Sequence, residues 1–101
     1  MNNSRNFKKA RKKEIWKKAN GQCAHCGAEN VRNKTVDHFI PQSRGGTWDR
    51  RNLMPTCRHC NMMRGSRKVD PKEYYKYATE EAILDALEYE KEWRDNHKSM
   101  L

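Results

Sequence analysis

Two C-x-x-C pairs, Cys23/Cys26 and Cys57/Cys60, stand thirty residues apart, and they constrain the fold more than any other feature of the sequence. Each pair offers two thiolates on a tight knuckle of chain. Together they make a closed S4 set, the tetrahedral arrangement that zinc prefers. Two disulfides, a redox C-x-x-C and a four-cysteine iron–sulfur site are the rival readings. A reducing compartment argues against the first, and the lack of a βαβ context against the second. Ligand type alone does not separate iron–sulfur from zinc, although a charged, exposed little domain suits zinc better. His25 and His59 lie inside the knuckles; with four thiolates available, they read as exposed side chains or phosphate contacts.

The chain needs such a staple. Its 101 residues are 35% hydrophobic and 35% charged, close to the limit at which an apolar core suffices. Structural zinc in small finger peptides binds with about 10–16 kcal/mol of apparent free energy, much of which appears as folding stability. That is comparable to the whole net stability of a domain.

The formal net charge of +9 points to an anionic partner, and its clustering says which kind. "RNFKKARKKEIWKK" carries eight basic residues and one acid. Charge that merely keeps a small protein in solution need not cluster, whereas a polyphosphate rewards clustered Lys and Arg through counterion release. The basic N-terminus leads into no apolar stretch of the kind a secretory signal needs, and no run approaches the length of a transmembrane helix. A cytoplasmic setting without a membrane partner is therefore expected.

Residues 5–20 read as a basic helix. Phe7, Arg11, Ile15 and Ala19 are spaced four apart with Trp16 beside them, an apolar stripe to dock on the body, while Lys8, Lys9, Lys12, Lys13, Lys17 and Lys18 stay solvated. Gly21 is placed to cap its C-terminus. Short elements follow: a strand through "KTVDHFI", a loop "PQSRGGTWDR", a second strand around "NLMPTC", and a helix beginning within "CRHCNMMRG". "DPKE" then combines an Asp cap, a Pro at the first helical position and a Glu at the capping-box position. Thr79 caps a further helix with Ala82, Ile83, Ala86, Leu87, Tyr89 and Trp93 on one face. The expected architecture is α+β. One domain over residues 1–101 would hold a zinc-stabilised core (21–68) between a basic N-terminal helix (1–20) and C-terminal helices (69–101).

Chemistry-bearing residues sit within that core. Asp37 and His38 are adjacent, Asn52 precedes Cys57 by five positions, and Asn61 follows Cys60 directly. Taken singly, the Asp-His pair reads as structural, and the two asparagines read as turn or cap residues. With Pro41 and Gly45-Gly46, the order becomes C-x-x-C, D-H-x-x-P, G-G, N-L, C-x-x-C-N. In that order the sequence resembles the HNH endonuclease family, whose fold is a zinc-stapled ββα-metal finger, over residues 23 to about 68. Residues 1–20 and 70–101 carry no such resemblance.

The resemblance implies a metal-dependent cut of DNA that leaves 5′-phosphate and 3′-hydroxyl ends. His38 would be the general base that deprotonates water, a role suited to an imidazole at neutral pH. Asp37 would ligate a catalytic cation able to neutralise the nonbridging and leaving oxygens. Asn52 would hold the His38 segment through a side-chain to backbone hydrogen bond. Asn61 stands where the family name has histidine and would give the cation a second, neutral oxygen. Hard oxygen ligands favour Mg2+ or Mn2+. Successive side chains on a regular strand face opposite ways, so a bulge or a twisted strand end is expected to aim Asp37 and His38 at one site.

Arg44, Arg50, Arg51, Arg58, Arg64, Arg67 and Lys68 surround these residues in sequence. With Lys12 and Lys13 of the basic helix they are candidate phosphate contacts. Gly45-Gly46 would let the loop turn, or let backbone approach DNA closely. The competing reading is a zinc-stapled nucleic-acid-binding module without catalysis, acting within a larger complex. It suits the charge and the cysteines but leaves Asp37, His38, Asn52 and Asn61 unexplained. No helix-turn-helix or repeated reading element is visible, so weakly specific cutting, or direction by a protein partner, is expected. Double-stranded DNA is the expected substrate, though charge alone suits RNA equally.

Overall fold

A computed structural model describes residues 3–97; residues 1, 2 and 98–101, which the one-domain reading takes in, lie outside the described residues. Helix α1 spans Asn3–Lys18 and ends with Lys17 and Lys18 in its last turn, where cations favour the helix dipole. The Gly21 N–H reaches back to the Trp16 carbonyl at 3.1 Å, with φ at 76°. That left-handed conformation is why a glycine stops the helix here. The expected docking stripe is only half realised. Ile15 and Trp16 are buried, but Phe7 is 48% exposed, because only the C-terminal half of α1 lies on the body. Arg11 covers the Phe7 ring instead, its guanidinium 4.7 Å from the centroid.

Strands β1 (Lys34–His38) and β2 (Leu53–Cys57) form an antiparallel pair. The register runs without interruption from Lys34 opposite Cys57 to His38 opposite Leu53. Alternation then sorts their side chains onto two faces. Val36 and Leu53 join Ile15, Trp16, Val31, Cys23 and Cys60 in one cluster, beside α1 and the knuckles. Met54 joins Phe39, Ile40, Tyr75, Ile83, Ala86 and Tyr89 in the other. Pro55 is tolerated because its missing donor costs no ladder bond on an open edge, where its carbonyl accepts from the Ala24 N–H at 2.7 Å.

Helix α2 (Arg58–Arg64) follows β2 directly, completing a ββα unit, and α3 is the single turn Pro71–Tyr74. The Asp70 carboxylate caps α3 by accepting from the N–H groups of Lys72 and Glu73. Helix α4 (Glu80–Asn96) begins at Thr79, whose hydroxyl accepts from the Ala82 N–H at 3.1 Å. Ile83, Ala86 and Tyr89 are its buried face, whereas Leu87, expected on that face, is 36% exposed. The α+β class and the zinc-finger-like core therefore stand. Among the described residues, no helix is long and apolar enough to cross a membrane.

Candidate active site

The loop from Phe39 to Asn52 is held from inside by one side chain. Asn52 is fully buried. Its Oδ1 accepts from the Ile40 N–H at 2.7 Å, and its Nδ2 donates to the carbonyls of Ile40 (3.1 Å) and Thr47 (3.0 Å). A short polar amide thus replaces the ladder that the chain abandons after the Phe39 N–H has bonded to the Asn52 carbonyl at 2.8 Å. Gly46 makes the same turn possible by close approach. A Cβ there would lie 1.6 Å from the Ile40 carbonyl oxygen, so the glycine serves the loop's own backbone. Gly45 supplies the turn itself, at φ 93°.

Helix α2 lies along the open edge of β1. Asn61 Nδ2 donates to the Val36 carbonyl (3.1 Å) and to Thr35 Oγ1 (3.0 Å). One turn on, Arg64 Nη1 donates to the His38 carbonyl at 3.1 Å. Val36 and His38 are two residues apart, so their carbonyls leave the strand on the same edge. The expected bulge is absent from the ladder. The cleft lies at the strand's edge, where side chains from both faces can reach it. Asp37, His38 and Asn61 all line it, together with Pro41, Gln42 and Gly65, around a volume of about 340 Å³.

Asp37 is 3% exposed and is caged by two donors. Arg64 Nη1 (2.8 Å) and the Tyr75 hydroxyl (2.6 Å) both donate to its Oδ2. Burial pushes this carboxyl up, while the Arg64 charge and the Tyr75 hydroxyl work against that shift. His38 faces the other way. Its ring meets the Trp48 ring edge-on, with centroids 5.0 Å apart. Burial pulls the imidazole down to about 4, and the positive charges of Lys8 and Arg64 add to the effect. At neutral pH it is therefore the neutral imidazole. Its Nε2 is buried and has no hydrogen-bond partner.

The donor chemistry suits a hard cation. The second oxygen of Asp37 and the amide oxygen of Asn61 make no hydrogen bond among the described residues. Oxygen donors of this kind match Mg2+ or Mn2+. The thiols form the other candidate metal centre. The four Sγ atoms of Cys23, Cys26, Cys57 and Cys60 lie within 4.8 Å of one another, and no disulfide joins them. Zn–S bonds of about 2.3 Å fit such a cluster. The Cys57 N–H points at Cys23 Sγ (3.4 Å). Burial opposes ionisation of the Cys23 thiol, yet the N–H groups around it bring it to about 7.

Residues 23–67 match the family model for HNH endonucleases. This segment belongs to the HNH family. A 60-residue stretch is also 33% identical to the CRISPR-associated endonuclease Cas9 of Corynebacterium diphtheriae, covering 52% of this chain and 6% of that protein. The chain thus corresponds to only a small part of that relative. The HNH segment ends before α3 and α4 and begins after α1.

One basic residue, Arg64, falls outside the phosphate-gripping role that sequence order suggested, and Arg50 and Arg51 are engaged in ion pairs. Arg64 is fully buried, and its guanidinium is spent on Asp37, Tyr75 and the carbonyls of His38, Phe39 and Arg67. Arg51 pairs with Asp49 and Glu88 at 2.8 Å each and with Glu92, which ties the loop to α4. Arg50 pairs with Glu14 at 2.8 Å. Arg44, Arg58, Arg67, Lys68, Lys12 and Lys13 are exposed. His25 is not a free surface group either: its ring stacks on Tyr74, centroids 4.0 Å apart. Tyr75 and Trp48 escaped the sequence reading. Nothing in a single sequence marks Tyr75, but the i, i+3 spacing of Asn61 and Arg64 is a signal that could have put them on one helical face.

Proposed function

We propose that this chain is a metal-dependent endonuclease that hydrolyses DNA phosphodiester bonds at the His38 cleft. The observation that carries this reading is the convergence of Asp37, His38 and Asn61 on one cleft, with the His38 Nε2 unpartnered. A divalent cation held by Asp37 and Asn61 would offset charge on the phosphoryl and leaving oxygens. The chain's own residues do the rest. His38, kept neutral, accepts the proton of the attacking water at a ring nitrogen. A phosphate entering the cleft counters the nearby Lys8 and Arg64 charges, so the imidazole becomes more basic as substrate binds. Asn52 pins the backbone after His38, and Arg64 with Tyr75 fixes the carboxylate of Asp37.

Structural zinc on the four cysteines would hold α2, and with it Asn61, against β1. We take residues 1–101 as one domain working in the cytoplasm on double-stranded DNA, its exposed Arg44, Arg58, Arg67, Lys68, Lys12 and Lys13 contacting phosphates. A protein partner would supply any site preference.

A second reading, a non-catalytic zinc-stapled nucleic-acid-binding module, draws support from the Asp37–Arg64 pair, which already neutralises the one acidic ligand. Nicking of a supercoiled plasmid by purified protein with Mg2+ or Mn2+ separates the two. We expect cleavage that EDTA stops and added metal restores. His38→Ala should lose about 10²-fold or more in rate while keeping fold, zinc and DNA binding. Cutting at the parental rate by that variant would overturn the assignment.

A further inference from the structure

Helix α1 lies outside the HNH segment, yet through one residue it reaches His38, which lines the cleft. That residue is Trp48. Its ring meets the His38 ring in a T-shaped contact, and its carbonyl accepts from Arg11 Nη1 at 2.6 Å. The Lys8 ammonium lies over the same ring, 5.3 Å from its centroid. A single indole therefore contacts both a lysine of α1 and the imidazole of the candidate site. An aromatic face holds an ammonium by its quadrupole and leaves the N–H donors free for an acceptor.

The rest of α1 has little to neutralise it. Its first turn carries no acid. Its acid Glu14 is taken by Arg11, Lys18 and Arg50. Among the described residues, no acidic side chain pairs with Lys8, Lys9, Lys12 or Lys13. Phe7, in the N-terminal half of the helix, is left exposed. A cationic arm linked through Trp48 to a residue of the cleft fits a phosphate backbone better than it fits a packing role.

We infer that α1 is the arm of the site that holds the strand being cut, with Lys8 binding a phosphate next to the scissile one and Trp48 positioning Lys8 against His38. The inference rests on the nuclease reading for the word "cut", but its binding half stands apart from it. Lys12 and Lys13 extend the same grip along the helix.

Binding to a short DNA duplex, followed by fluorescence anisotropy in the His38→Ala background, tests this without turnover. Removing one phosphate-neutralising cation lowers the slope of log K against log salt by about 0.9 over roughly 50–200 mM. Lys8→Gln should lower the slope by that amount and weaken binding several-fold, with zinc content and melting unchanged. Lys8→Arg should restore both. In the cleaving protein, Lys8→Gln should raise KM several-fold. A parental slope and affinity in Lys8→Gln would overturn the inference. Binding with the expected Lys8 effect but no cleavage by the parent would overturn only the nuclease reading. No DNA binding by the parent would overturn both.

Discussion

Arg64 shows how much one side chain can decide. Sequence order places it among surface cations near the site, but the fold buries it completely and makes it the hub that joins β1, α2 and Tyr75. A buried ion pair need not stabilise a protein relative to an apolar substitute, but breaking one leaves a charge without a partner. Arg64→Ala should therefore cost about 3–5 kcal/mol, measured by chemical denaturation of the zinc-loaded protein. A loss typical of a surface arginine would show that Asp37 finds another partner. Asn52 makes a sharper case, because its two ends face opposite chemistry. Asn52→Asp keeps an acceptor for the Ile40 N–H but turns a second oxygen toward the carbonyls of Ile40 and Thr47. That variant should be destabilised by several times the ~1 kcal/mol of an ordinary hydrogen bond, and thermal melting would show it.

At the level of elements, the cleft depends on pieces the motif does not contain. Helix α4 braces the loop from outside: the Tyr89 hydroxyl accepts from the Thr47 N–H at 3.0 Å, and Trp93 Nε1 donates to the Arg44 carbonyl at 3.0 Å. Arg51 adds an ionic tie between the loop and α4. Hydrogen bonds from Arg51 hold the Asp49 carboxyl below its usual range. A carboxyl lowered in the folded state adds stability that is present above its unfolded value, about 3.9, and is lost as pH falls through the folded one. Asp49→Asn should therefore flatten part of the acid side of the stability profile and leave it unchanged near neutrality apart from a uniform offset. An acid limb as steep as the parent's would remove Asp49 from that account. The elements also explain why no bulge is needed. Helix α2 supplies side-chain donors to the strand edge, and an edge is visible from both faces.

For the whole molecule, the hairpin divides two small hydrophobic clusters among the described residues, and Cys23 and Cys60 belong to one of them, with Cys57 packed against it. Neither cluster is large, so a metal held by the cysteines would add stability that the apolar core alone supplies poorly. We expect the purified chain to carry one zinc, and a strong chelator to unfold it, with helical ellipticity lost in step with zinc release. Retention of the fold after zinc removal would show that the two clusters suffice alone. Weak catalytic-metal binding would behave differently, since loss of Mg2+ or Mn2+ should stop cleavage and spare the fold.

Much of this protein was legible in its residues. The spacing of the cysteines, the Asp37-His38 pair, the Asn52 and Asn61 positions, and the caps at Gly21, Asp70 and Thr79 depend on local chemistry that neighbours in sequence specify. The two strands and the helix start after Cys57 followed from the same local signals. What only the tertiary structure decided is which side chains meet across distance. It buried Arg64, left Phe7 and Leu87 in solvent, set Tyr75 against Asp37, and brought Lys8 to Trp48 and His38. Those outcomes depend on how elements dock, and docking is fixed by the summed packing and polar satisfaction of many residues at once. No window of sequence contains that sum.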